Sequence, residues 1–398
     1  MANSPTDHRS STWSVFLIFL RLGLTSFGGP VAHLGYFRDE FVTRRRWLTE
    51  RSYADLVALC QFLPGPASSQ VGIALGLARA GYGGAVAAWV GFTLPSALLL
   101  SLFALGLTQH GSAIPAGALH GLKVVAVAVV AQAVWGMARN LCRSAGRISL
   151  MLLATAAALL LPFTWAQVAI IASAGVVGLL LFKPAYGGAH EPLPIPIRRP
   201  TGAMWLALFL ILLVGLPLLA QALPNLALTL IDAFYRTGSL VFGGGHVVLP
   251  LLQAEVVPRQ WVSNDLFLAG YGAAQAVPGP LFSFAAFLGA AINPWWGGLI
   301  ALLAIFAPSF LLIFGVLPFW ENLRQSPRTQ AALAGVNAAV VGLLLAALYQ
   351  PVWTSAIFTA QDLGLALIAL MALMLWKLPP WLVVVGSGGL GWLLSLTL

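Results

Sequence analysis

Charge is what this sequence has least of. Of its 398 residues 8% are Asp, Glu, Lys or Arg, with only 11 acidic side chains, while 60% are hydrophobic. A chain so poor in ionisable groups cannot cover a soluble fold of this size with polar surface, which excludes a soluble enzyme. Cysteine is almost missing too. Cys60 and Cys142 stand far apart and fit no CxxC or Cys/His ligand spacing, so neither a disulfide framework nor a thiolate metal site is expected. The sequence has no G-x-x-x-x-G-K-[ST] loop, no H-E-x-x-H pair and too few carboxylates inside apolar runs for a cation cage. No catalytic residues, metal or cofactor are expected. Alternating polar and apolar strands are lacking as well, which excludes an outer-membrane barrel. The formal charge of +9 lies in short basic stretches between apolar segments rather than on one polar face, so no nucleic-acid partner is implied.

What the chain does have is long apolar runs, such as 85–107, 148–161 and 202–223. Roughly 17–25 helical residues cross a hydrocarbon core of about 30 Å, so the expected fold is all-α and polytopic, with the lipid bilayer as its solvent. Arg9 precedes the first run and no small-residue cleavage site follows it, which reads as an uncleaved first segment in a bacterial inner membrane.

The sequence also repeats itself. Phe19, Arg21, Gly23, Phe27, Gly28 and Gly29 are matched in order and spacing by Phe234, Arg236, Gly238, Phe242, Gly243 and Gly244. Glu40 matches Glu255, Trp47 matches Trp261, and Gln61, Pro64, Gly65 and Pro66 match Gln275, Pro278, Gly279 and Pro280; Pro95-Ser96 matches Pro308-Ser309. Two homologous membrane halves, 1–182 and 202–398, are therefore expected, joined by a proline-rich cytoplasmic linker over 183–201.

Their orientation follows from Lys and Arg in short loops. The loop 38–51 carries Arg38, Arg44, Arg45, Arg46 and Arg51, whereas its counterpart 253–265 keeps only Arg259. Conversely, 318–328 carries Arg324 and Arg328 where 108–117 has none. Opposite bias at equivalent loops implies inverted topology, an architecture of secondary transporters with a midplane site between the halves.

The segments 13–27 and 30–43 flank Gly28-Gly29-Pro30, and 52–63 and 66–80 flank Pro64-Gly65-Pro66. Each flank reaches only about 20–22 Å, and proline with glycine should break the helix, so two helical hairpins per half are expected. With 85–107, 118–138, 148–163, 165–182 and 202–223 as full crossings, the N-terminus is cytoplasmic and the C-terminus periplasmic. Re-entrant hairpins and thin paired spans give the same parity.

Helices starting at Pro30 and Pro66, with Gly245 and Leu281 as second-half equivalents, would aim four positive ends at one cavity suited to an anion. Arg21 and Arg236 lie inside apolar runs, where a charge costs about 2.5–3.5 kcal/mol. They either grip an oxyanion or form internal ion pairs with Glu40 and Glu255. Gln61 and Gln275 precede each Pro-Gly-Pro and could donate amides. His33 and His246 could carry a coupling proton or simply be satisfied in packed helices. Lys123, matched by Asn337, is either a gating charge or a residue reaching a helix end.

The stretches Phe27-Gly-Gly-Pro-Val-Ala-His33, Phe41-Val-Thr-Arg-Arg-Arg-Trp47-Leu and Asp55-Leu-Val-Ala-Leu-Cys-Gln61-Phe-Leu-Pro-Gly-Pro-Ala-Ser-Ser-Gln70-Val-Gly closely resemble the chromate ion transporter (CHR) family in its long-chain, two-domain form. The resemblance covers nearly the whole chain. It implies chromate export driven by the proton-motive force and chromate resistance, and it points to Arg21, Gly28, Gly29, Pro30, His33, Glu40, Trp47, Gln61, Pro64, Gly65 and Pro66, with Phe242-Gly-Gly and Pro278-Gly-Pro in the second half. That half departs from the pattern: Gly245 replaces Pro30, and Arg259-Gln260 replaces Arg45-Arg46. Sulfate, with four similar oxygens and two charges, remains an alternative cargo. A general oxyanion carrier, an ungated anion channel and a homodimer are also compatible with the residues, whereas a non-transporting scaffold would need no paired intramembrane arginines. The inverted drawing is testable: cysteine placed at position 260 should label from outside in intact cells while cysteine at 45 stays protected, and the opposite pattern rejects it.

Overall fold

The computed structural model describes residues 11–110, 115–161, 166–182, 197–223, 225–242, 245–294, 296–320, 323 and 326–397. Every regular element among them is a helix. The first group comprises α1 (Thr12–Thr25), α2 (Gly29–Arg38, prolonged by a π turn over Asp39–Arg44), α3 (Glu50–Phe62), α4 (Ala67–His110), α5 (Ala116–Leu141), α6 (Ala145–Leu160) and α7 (Ala166–Leu181). After α8 (Arg199–Ala222) come α9 (Leu226–Leu240), α10 (Val248–Val256), α11 (Asn264–Ala274), α12 (Phe284–Ile292), α13 (Gly297–Val316), α14 (Pro327–Ala347), α15 (Ala360–Met374) and α16 (Pro380–Thr397). Five stretches are long and apolar enough to span a bilayer, on α4, α5, α8, α13 and α14. On α8, Leu210, Ile211, Val214 and Leu218 are all more than half exposed, a surface that only hydrocarbon solvates well. The protein is an all-α, multi-pass membrane protein.

The expected breaks fall where proline and glycine stand. Leu63 caps α3 in an extended conformation, Gly65 has φ +123°, and α4 begins at Ala67. Gly28 and Gly29, with φ +97° and +78°, separate α1 from α2. Each pair of flanks folds back on itself. Phe19 of α1 stacks on Phe41 at 5.1 Å and meets Phe37 edge-on at 5.6 Å, and Arg79 donates to the Trp47 carbonyl at 3.3 Å across the second hairpin. Helix starts in the later group differ from the earlier ones: Gly245–Val247 and Leu281–Ser283 are 3-10 turns that lead into α10 and α12. At Gly245 the chain lacks the fixed φ of Pro30 and enters through a tighter turn, whereas Leu281 follows Pro280 as Ala67 follows Pro66, so proline does not account for the difference there. The expected segments 66–80 and 85–107 are two helices within α4. The backbone leaves helical geometry at Ala80 (φ −140°, ψ 27°) and Gly81 (φ +63°, ψ −155°), and the chain turns back there so that Gly76 and Gly84 meet.

Close approach of backbones recurs at corresponding places. A Cβ at Gly76 would overlap the carbonyl of Gly84, and one at Gly289 that of Gly297. Small residues let adjacent helices touch without side chains between them, the usual packing device where lipid removes the hydrophobic drive. Long helices are exchanged between the two groups: α5 packs along α15 and α16, while α14 packs along α6 and α7. Core packing therefore runs across the sequence midpoint instead of closing within each group. The linker expected at 183–201 lies largely outside the described residues. Gly289→Ala should lower the thermal midpoint of the detergent-solubilised protein by the equivalent of about 1–3 kcal/mol of overpacking. Gly364→Ala, inside α15 where a Cβ would meet nothing within 4 Å, should not lower it and should raise it slightly through helix propensity.

Candidate functional site

The helix breaks meet through two reciprocal backbone hydrogen bonds. Gly65 N–H donates to the Val241 carbonyl at 2.7 Å, and Gly279 N–H donates to the Ser26 carbonyl at 3.0 Å. Gly65 and Gly279 are matched positions in the sequence, as are Ser26 and Val241, so each Pro-Gly-Pro tip is tied to the residue before the other group's Phe-Gly-Gly. Side chains follow the same exchange. A Cβ at Gly65 would stand 2.8 Å from Ser309 Oγ, and one at Gly279 would stand 2.8 Å from Ser96 Oγ, which together with φ +123° and +107° leaves room only for glycine at both tips. Pro30 and its counterpart Gly245 touch each other, with Pro30 Cγ 2.9 Å from where a Gly245 Cβ would sit.

A cavity of about 40 Å³ opens beside this junction, lined by Gly28, Gly29, Gln132, His246, Gln275 and Gly279, among others. That is room for three or four waters at roughly 10–15 Å³ of accessible volume each. Its polar walls carry no fixed charge. The Gln275 Nε2 group is buried and has no hydrogen-bond partner among the described residues. His246 Nδ1 lies 3.0 Å from the Tyr271 hydroxyl, which leaves Nε2 facing Gly29. Of the four expected helix starts, Leu281 lines the space, and Pro30 and Gly245 adjoin it through their neighbours Gly29 and His246. The fourth does not: the Pro64-Gly65-Pro66 tip is held by Val241, and Gln70 Nε2 donates to the Pro64 carbonyl at 2.7 Å. An array of amide donors and helix ends around a small void suits an oxyanion. Gly243 and Gly244 lie outside the described residues.

The two sequence-matched arginines differ. Arg236, 8% exposed, donates to Glu255 at 2.6 and 3.2 Å and to Asp232 at 2.9 Å, and Arg259 adds a 3.4 Å contact to Glu255. Two cations and two carboxylates make this cluster formally neutral. Arg21 is exposed on α1, and its guanidinium has no partner among the described residues. Glu40 pairs instead with Arg45 at 2.6 Å and Arg44 at 3.1 Å. The internal-pair reading thus describes Arg236–Glu255 and not Arg21–Glu40. The cause is local: Asp232 sits one helical turn before Arg236, where the first half has Leu17, so only Arg236 gains a second carboxylate.

Lys123 reaches Asp265 at 3.0 Å in the first turn of α11, and His120, one turn earlier on α5, lies 2.6 Å from Asp362 at the start of α15. His33 is buried against Ser68 at 3.4 Å and edge-on to Phe92, away from the cavity lining. Gln61 is exposed, unlike its counterpart Gln275. The sequence reading did not single out Gln132 or Tyr271. Gln132 had a readable signal, an amide inside the apolar run of α5; Tyr271 had none, because its role depends on the fold bringing α11 to His246. Among the described residues no group of three or more His, Cys, Asp or Glu is placed to hold a metal ion.

With the geometry in hand, comparison with known proteins is direct. The family described as "Chromate transporter" matches this chain twice, over residues 13–179 and 228–392. A chromate transport protein of Pseudomonas aeruginosa is 28% identical over 345 residues, 83% of this chain and 78% of the relative. An uncharacterised transporter of Methanocaldococcus jannaschii is 26% identical over 339 residues, 84% of this chain and 83% of the relative. The transporter YwrA of Bacillus subtilis is 32% identical over 172 residues, which cover 97% of that protein but 42% of this one. On the strength of the double match, which takes in both sets of helix breaks, this chain belongs to the chromate transporter family.

Proposed function

We propose that this protein is a secondary transporter that exports chromate from the cytoplasm across a bacterial inner membrane, and so confers chromate resistance. Its two halves are inverted repeats about the junction of helix breaks, and the oxyanion is held near the midplane in the cavity beside Gln275, Gly28, Gly29 and Gly279. The observation that carries this reading is the reciprocal pairing Gly65–Val241 and Gly279–Ser26, which joins both sets of breaks, with a polar void beside Gly279. Unpaired backbone and amide donors at membrane depth are costly unless protein or a ligand satisfies them, and an orphan amide in a family of anion carriers favours cargo at that place.

Energetics agree with export. A dianion leaving a cell that is negative inside gains about 4.6 kcal/mol per 100 mV, twice the single-charge value. Sulfate shares the four oxygens and the charge of chromate, and donors that read only oxygens discriminate weakly between them. Of the two histidines, His246 lines the cavity and His33 does not, so any coupling proton belongs on His246. Arg21, exposed on α1 with no guanidinium partner among the described residues, is a cation available to attract the oxyanion toward the cavity. Arg236 with Glu255, and Lys123 with Asp265, hold helices together.

The central test is chromate flux into or out of proteoliposomes under imposed voltage, with and without tenfold excess sulfate. Voltage-driven flux that survives sulfate supports a selective chromate carrier; equal suppression by sulfate makes it a general oxyanion carrier, and absence of flux rejects the reading. The two arginines should separate. Arg21→Ala should keep normal membrane abundance and lower chromate kcat/KM several-fold, with the loss shrinking as ionic strength rises, as expected of an attracting charge. Arg236→Ala leaves Asp232 and Glu255 buried without their cation, so it should destabilise the fold by about 3–5 kcal/mol and deplete the protein from the membrane. Equal abundance with equal flux loss in both variants would return Arg236 to the cargo.

A further inference from the structure

Behind the polar cavity lies a second, larger space. Val277, next to the Pro278-Gly279-Pro280 tip, lines the polar cavity on one side and on the other a groove of about 390 Å³. Leu100 and Phe103 of α4, Leu122 of α5, Ala273 of α11 and Gly388 of α16 form its other walls, and no charged side chain lines it. An apolar space of this kind does not hold water. Leaving it empty would forfeit dispersion contacts along all four helices.

The surroundings identify the occupant. At the mouth, Leu99 of α4 and Val385 of α16 are 51% and 63% exposed, and Leu98 and Leu102 beside them on α4 are 55% and 64% exposed. Because α4 is long and apolar enough to span the bilayer, these side chains face hydrocarbon, and the groove is continuous with that face. Its depth comes from the glycine run of α16: a Cβ at Gly389 would meet nothing within 4 Å, and one at Gly388 would only touch Leu122 at 3.7 Å. An apolar recess open to lipid and closed to water is filled by what surrounds it.

We propose that this groove binds an acyl chain of a bilayer lipid, which packs against Ala273, Ala276 and Val277 and so buttresses the tip that presents Gln275 and Gly279 to the polar cavity. The chain is a structural ligand with its own site, distinct from the oxyanion cavity and independent of which oxyanion that cavity takes. Its place explains how a short loop between α11 and α12 keeps a fixed position with few side-chain hydrogen bonds of its own.

The test uses the full chain in lipid nanodiscs that contain a phosphatidylcholine with a photoactivatable diazirine in mid-chain. After irradiation, peptide mapping should find adducts on the groove floor, at Leu122, Ala273 or Val277, as well as on the outward face of α8 at Leu210 or Val214. Gly389→Leu, at a position where a Cβ meets nothing within 4 Å, puts a side chain into the groove and should abolish the floor adducts while those on α8 persist. Ala276→Leu serves as a second filling variant, and the α8 adducts report that either variant is folded and embedded. Floor residues unlabelled in the wild type while α8 is labelled, or floor labelling indifferent to both filling variants, would overturn the proposal. Since the readout is labelling and not flux, its failure is separate from any failure of chromate transport.

Discussion

Everything in this fold answers to one constraint: a helix broken inside hydrocarbon exposes backbone N–H and C=O groups that water cannot reach. Each such group left unpaired costs about 1–3 kcal/mol, and four breaks accumulate several. The chain settles part of that cost between distant segments. Gly65 N–H is satisfied by Val241 and Gly279 N–H by Ser26, donors and acceptors that lie well over a hundred residues apart. Breaks that could not close within one half are closed by the other. The exchange of α5 against α15 and α16, and of α14 against α6 and α7, has the same consequence at the level of packing. Neither half could keep its breaks satisfied or its long helix covered alone in this arrangement. A single-length relative such as YwrA, if it uses the same breaks, would need a second copy to supply the missing partners.

How far the sequence was readable follows from which interactions are local. Proline and glycine act on their own backbone, so the breaks at 28–30 and 64–66 were legible, as were the spans of α4, α5 and α8, whose apolar length is a property of consecutive residues. Helices α6 and α7, expected as full crossings, are shorter, with 16 residues each. The 3-10 start at Gly245 was half legible, since the missing Pro30 equivalent was visible but its geometric result was not; that at Leu281, which follows Pro280 as Ala67 follows Pro66, was not legible. Partners were not legible. Asp265 for Lys123, Asp362 for His120 and Tyr271 for His246 are choices made by packing between elements far apart in sequence. The unequal fates of Arg21 and Arg236 could have been read in part: Asp232 four residues before Arg236, against Leu17 before Arg21, is an i, i+4 signal that needs only a helix. Internal symmetry hid it, because matching the arginines drew attention away from the neighbours that do not match.

That asymmetry bears on how such a site can work. Fixed charge is kept out of the cavity lining: Arg236 is neutralised by Asp232 and Glu255, Lys123 by Asp265, and the lining itself offers amides, helix ends and an imidazole. If cargo binds there, the empty carrier has no net charge in the site and the loaded carrier has the two charges of the oxyanion. Membrane voltage then acts on the loaded step and leaves the empty return untouched. A site built on two bare arginines would reverse this, with a neutral loaded form and a cationic empty form, so the field would drive the return and not the delivery. For an exporter of dianions in a cell that is negative inside, neutral donors place the whole electrical gain, about 4.6 kcal/mol per 100 mV, on the step that carries cargo outward. They also hold the ion less tightly than paired guanidinium groups would, and a carrier that must release its cargo on the far side is served by donors that compete with water without greatly exceeding it.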